Sequence, residues 1–114
     1  MSDRPPRNED EQEARRELVG LARAMLLGEL SFIEGADRIW RLQDRIGGIL
    51  DHDPDFNAFA AIVSETDHLP LERVRPLWSD EVLKRLTPEF ERSEKWASEF
   101  ASEECRSLLS RFSG

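Results

Sequence analysis

The sequence predicts an all-α chain: a single-domain helical bundle with three main helices, one or two short ones and a kinked middle segment. Three observations carry this reading. Apolar residues recur at three- and four-residue spacing along most of the chain, as on one buried face of a helix. Start and stop residues bracket those runs. No stretch alternates apolar and polar residues as a half-buried strand would.

Residues 1–9, MSDRPPRNE, are polar and proline-containing, and are expected to be a frayed tail. From residue 10 to residue 114 the pattern is that of one helical domain. In the first helix Ala14, Leu18, Leu21 or Ala22, and Met25 share a face, and Gly28 is the stop. The next start is SFIE, Ser31 to Glu34, the capping-box pattern of serine at the N-cap and glutamate three residues on. Behind it Phe32, Ala36, Ile39, Gln43 and Ile46 form a stripe, which Ile33 and Trp40 widen. Gly47-Gly48 ends this second helix. The short GELS link between the first two helices implies an antiparallel pair.

Asp53-Pro54 is an acidic N-cap followed by a first-turn proline. It opens a short third helix carrying Phe56, Phe59, Ala60 and Val63 and ending near Ser64. Pro70 and Pro76 restrict LERVR to about one turn. Ser79 caps a short helix, DEVLKRL. Thr87-Pro88 is read as the start of the last helix, with Phe90, Ala97, Phe100 or Ala101, Cys105, Leu108 and Phe112 on its stripe.

The 114 residues suffice for one modest core, and 39% of them are hydrophobic. The net charge of −8 disfavours non-specific binding to nucleic acid or to an anionic membrane. No apolar run approaches the length of a membrane span, and the first residues lack the apolar core of a secretory signal. A cytoplasmic protein is the expectation. The single cysteine, Cys105, forms no internal disulfide, and its place on an apolar stripe makes it a small core residue rather than a reactive thiolate.

Charge is unevenly spread. No lysine or arginine lies between Arg45 and Arg73, whereas Asp51, Asp53, Asp55, Glu65, Asp67 and Glu72 do, along with both histidines, His52 and His68. These residues allow three readings. His52 and His68 with neighbouring carboxylates form a nitrogen–oxygen ligand set suited to a metal-dependent hydrolase. A third helix of about ten residues would, however, hold its ends about 15 Å apart, and no HExxH spacing occurs. Glu65, Asp67 and His68 have the residue types of general acid–base catalysis, but no nucleophile stands beside an obvious base. In the third reading SETDHLP, Ser64 to Pro70, is a structural corner. Ser64 and Thr66 bond backbone groups at the helix end, Asp67 caps the next turn, and Arg73 and Arg75 pair with Glu65 or Asp67. The corner reading is preferred, and a rigid corner also makes a recognition surface. No catalytic residue, metal ligand or cofactor is assigned.

The tryptophans divide similarly. Trp40 is expected at the core or its edge. Trp78 is expected to anchor the middle segment. Trp96 lies about 100° off the Ala97 stripe and is expected at a half-exposed boundary, where tryptophan serves as an interface anchor.

The stretch from Leu18 to about Ser98 resembles a small bacterial helical domain of unknown function. The resemblance rests on Ser64, Glu65, Thr66, Asp67, Leu69, Pro70, Arg75 and Trp78. ERSEKWA, Glu91 to Ala97, and GELSFIEGADRI, Gly28 to Ile39, add to it. It implies a standalone helical protein and brings no activity or catalytic residues. It also places His68 where such proteins are expected to vary, which weakens a histidine-based mechanism. The function expected is therefore that of a small acidic binding protein, not an enzyme, that neutralises or regulates a basic protein partner. An immunity protein or antitoxin acting on a cytoplasmic toxin is the most concrete form. Asp51, Asp53, Asp55, Glu65, Asp67, His68 and Trp96 are the expected partner-binding residues. A helical adaptor, or a dimer formed through Trp96 and the last helix, is the further alternative.

Overall fold

The computed structural model describes residues 3–113, all of whose regular structure is helical. Four α-helices and one 3₁₀ segment follow in order: α1 Glu9–Leu26, α2 Phe32–Ile46, α3 Pro54–Glu65, the 3₁₀ segment Glu72–Leu77, and α4 Asp80–Phe112.

The start signals act as their chemistry requires. The side chains of Asn8, Ser31, Asp53 and Ser79 each accept a backbone N–H from the first turn of the helix they precede. Two glycines answer for the packing of α1 against α2. Gly47 ends α2 at φ 75°, and a Cβ there would run into Arg4 and Glu11. Gly35 faces α1, where a Cβ would overlap the Met25 sulfur.

The core is one cluster. Ala14, Leu18, Ala22 and Met25 of α1 meet Phe32, Ala36, Ile39, Leu42 and Ile46 of α2, and Phe56, Phe59 and Ile62 of α3. From α4 come Ala97, Ala101, Cys105 and Leu108. All four belong to its C-terminal half, and no side chain from Asp80 to Trp96 is buried. A helix of 33 residues is about 50 Å long, which matches the 48 Å long axis of a body only 26 × 25 Å across. The radius of gyration, 14.9 Å, accordingly exceeds the value of about 13 Å for a compact chain of this length.

Several sequence expectations are corrected. Thr87-Pro88 is not a helix boundary, since both lie inside α4. Pro88 removes one backbone bond, to the carbonyl of Lys84. Both residues are exposed, so water can satisfy that carbonyl and the helix continues. Phe90 is only partly buried, and Phe100 is exposed while Ala101 takes the core position. Trp40 is 50% exposed, because the chain after α3 covers only the N-terminal half of α2. Trp78 is also exposed, at 41%, and does not anchor the middle segment in the core.

The segment before α1, expected to be frayed, crosses the end of the bundle from Asp3 onward; Met1 and Ser2 lie outside the described residues. Asp3 takes two hydrogen bonds from Arg111, at 2.7 and 2.9 Å. Arg4 pairs with Glu11 at 2.8 Å. Buried Arg15 donates to the Ile46, Gly47 and Arg4 carbonyls. The Arg111 bonds hold the Asp3 carboxyl below its usual range. Those from Arg4, joined by the Arg7 amide, pull Glu11 down to about 2.

Candidate functional site

The corner SETDHLP covers a polar flank of α2. Thr66 and Leu69 are buried, and the Thr66 hydroxyl donates to the Ile62 carbonyl at 2.7 Å, closing the end of α3. Glu65 and Asp67 point to solvent. The two arginines expected to pair with them turn elsewhere. Arg73 donates to Asp37 at 3.1 Å, and Arg75 Nη2 stands 3.8 Å from Glu34. Both acids are buried on α2. The Glu34 carboxylate does not reach back along its own helix to complete a capping box. It accepts the Glu72 amide at 3.0 Å, fixing the start of the 3₁₀ segment.

Glu94 of α4 takes over at the start of α2. It accepts the Phe32 amide at 2.7 Å and the Ile33 amide at 3.2 Å, placing a carboxylate at the positive end of the helix dipole. This contact fixes the spacing between α4 and the α1–α2 turn, and an open groove runs along that seam. One hollow of about 630 Å³ is lined by Ser31, Ile33, Arg75, Leu83, Phe90, Glu94, Lys95 and Ser98, among others. A second of about 480 Å³ is lined by Leu26, Leu30, Ser98, Ser102 and Arg106, and shares Ser31, Glu94 and Ser98 with the first. Together they follow α4 from Leu83 to Arg106, about 35 Å at 1.5 Å per residue.

Arg75 stands over this groove in a fixed pose. Its guanidinium lies 4.8 Å from the centre of the Phe90 ring. Its Nε donates to the Pro70 carbonyl at 3.1 Å, so the corner sets its position. Beyond the groove Leu77 is 85% exposed.

The residues expected from sequence to bind a partner are dispersed. Asp53 and Asp55 are held within the fold. Arg111 bonds Asp53 at 2.8 and 3.0 Å and Asp55 at 2.8 Å, and Ser107 donates to Asp55 at 2.6 Å. The cluster keeps the Arg111 guanidinium firmly charged. Asp51 and His52 occupy an exposed turn, His52 at φ 65°. His68 bonds Glu89 of α4 at 2.6 Å. The two histidines therefore flank opposite ends of α3, about 18 Å long. Among the described residues no three histidine, cysteine or acidic side chains gather as a metal-holding group. Trp96 is at the half-exposed boundary expected of it. It stacks on Phe100 at 5.0 Å and shares a shallow hollow with Glu65, Thr66, Arg92 and Ser93. Cys105 is a core residue, with burial pushing its thiol up to about 12.

Sequence reasoning missed the groove, Asp37, Glu94 and the partnership of Glu34 with the 3₁₀ segment. The one available signal was in α4: Leu83 and Phe90 are seven residues apart, but the misplaced break at Thr87-Pro88 separated them.

A helical bundle bearing a long groove on one outsized helix is the class that the fold and site define. Residues 4–108 match the model of DUF2489, described as a protein of unknown function, and the chain belongs to that family. No curated protein and no solved structure matches it. Among the described residues no helix is long and apolar enough to cross a membrane.

Proposed function

We propose that this chain is a non-catalytic, cytoplasmic protein-binding module that holds an amphipathic helical segment of a partner in the groove along α4. The carrying observation is the half of α4 from Asp80 to Trp96, which buries no side chain yet presents Leu83 and Phe90 to an open groove with Ile33 on its far wall. A helix whose apolar residues lack a bundle partner is suited to receive a second helix, through apolar anchors at three- and four-residue spacing. The decisive experiment is co-purification from native cells. A partner should be retained by wild type and by the control Leu50→Asp, which alters an exposed residue off the groove, and lost with Leu83→Asp. Equal retention by all three would refute the reading.

A second reading, an immunity- or antitoxin-type inhibitor of a basic toxin, draws its support from the net charge of −8 and the exposed carboxylates of Asp51, Glu65 and Asp67. Asp53 and Asp55 add less to it, since both are largely shielded from solvent and held against Arg111. If it holds, Asp51→Lys with Asp67→Lys slows association and flattens its salt dependence. An unchanged salt dependence argues against it.

A further inference from the structure

Resting on the groove reading above, we infer that the groove selects a partner helix carrying a carboxylate among its apolar anchors, and that Arg75 is the residue that reads it. Three observations meet at this side chain. Its pose is set from two sides, by the Pro70 carbonyl at Nε and by the Phe90 ring beneath the guanidinium. Its terminal nitrogens donate no hydrogen bond: Nη2 makes only a long ion pair with Glu34 at 3.8 Å, beyond hydrogen-bond reach, and among the described residues only Nε makes a hydrogen bond. It also lines the groove beside Ile33, Leu83 and Phe90. A planar fork of N–H donors, held still over an aromatic face at the edge of an apolar trough, is the arrangement that takes a carboxylate two-pronged. Little rotamer entropy remains to be lost when it does so.

The rest of the groove agrees with one acid rather than many. Lys95 supplies a second cation on the exposed rim, and Glu94 is already spent on the amides at the start of α2. Glu91, also on the rim, and the overall charge of −8 repel a polyanion such as nucleic acid. A helix with one acid among apolar residues satisfies both limits. The acid would also set the register of a segment that apolar contacts alone let slide.

The test is to pan the full chain against a random 16-residue peptide library displayed on phage, so that no free peptide C-terminus is offered. We expect recovered peptides to carry apolar residues at three- and four-residue spacing with an aspartate or glutamate among them. Changing that acid to its amide in a synthetic peptide should weaken binding about tenfold or more to wild type, and less than about twofold to Arg75→Gln. Arg75→Lys should fall between, because it keeps the charge and loses the fork. Arg16→Gln, which removes an exposed cation away from the groove, should leave the acid preference in place. Peptides that bind through Leu83, as shown by loss in Leu83→Asp, but carry no acid would overturn the carboxylate inference and leave the groove reading standing. An acid preference that persists in Arg75→Gln would remove Arg75 from the role. Failure to recover any peptide whose binding Leu83→Asp abolishes would overturn both.

Discussion

The carboxylate of Glu94 accepts the backbone amide of Phe32 at 2.7 Å, from a helix 62 residues further along the chain. One side chain thus satisfies two of the orphan donors at the start of α2 and forms part of the groove floor. Glu94→Ala should lower stability by about 1–2 kcal/mol, a fall in unfolding midpoint of about 4–8 °C at the scaling for a domain of this size. Glu94→Gln, which keeps an acceptor, should cost less. Thermal unfolding followed by circular dichroism reads both.

Arg111 is the other long-range tie. It holds Asp3, Asp53 and Asp55 together, all four side chains being less than one-fifth exposed. Removing the cation leaves three carboxylates facing one another. Arg111→Met should destabilise by about 2–4 kcal/mol, somewhat below the range for a fully buried pair. Adding Asp55→Asn should recover part of the loss, and denaturant unfolding of the single and double variants measures the difference.

The corner separates its own residues. Leu69→Ala should cost about 2–4 kcal/mol, as for other buried leucines. Glu65→Ala and Asp67→Ala should stay within about 0.5 kcal/mol of wild type, because both side chains face water. A large loss from either acid would mean that the corner depends on them after all.

Acid stability follows from the strap before α1. Folding lowers the carboxyl pKa of Asp3, and that of Glu11 from 4.5 to about 2. A depressed carboxylate contributes stability above its unfolded pKa, and that contribution is lost as pH falls through the folded value. The unfolding midpoint should therefore decline between pH 4.5 and about 2. The double variant Asp3→Asn, Glu11→Gln should start lower at pH 7 and decline less steeply over that window.

Cys105 is a reporter of opening. With its thiol raised to about 12 by burial, it should resist alkylation at pH 8 in the native protein and react promptly in denaturant. Rapid native reaction would mean that the C-terminal half of α4 opens readily.

Local chemistry was legible in the sequence, and partnership across distance was not. Ser31, Asp53 and Ser79 signal helix starts because their side chains act within three residues. Ala14, Leu18 and Met25 signal a core face because helical spacing alone aligns them. Arg73 and Arg75 could not be assigned this way. Glu65 and Asp67 are nearest in sequence, yet the fold brings up Asp37 and Glu34 from α2. Asp53 and Asp55 read as a free acidic surface because their counter-ion, Arg111, lies more than fifty residues away. Trp40 misled for the opposite reason: its spacing suits a core edge, but no covering segment extends that far along α2.

The uneven burial of α4 bears on time as well as space. Its amides from Ala97 onward are shielded by side chains that open only with the bundle, so their hydrogen exchange should track global unfolding. Those from Val82 to Ser93 are tied down by little more than Arg75 over Phe90 and His68 to Glu89. They should exchange through local fraying, orders of magnitude faster. One continuous helix thus carries two lifetimes. A helix docked in the groove would slow exchange in the N-terminal half by suppressing fraying there, and in the C-terminal half only by as much as it adds to global stability, so occupancy can be followed on α4 itself before any partner has a name.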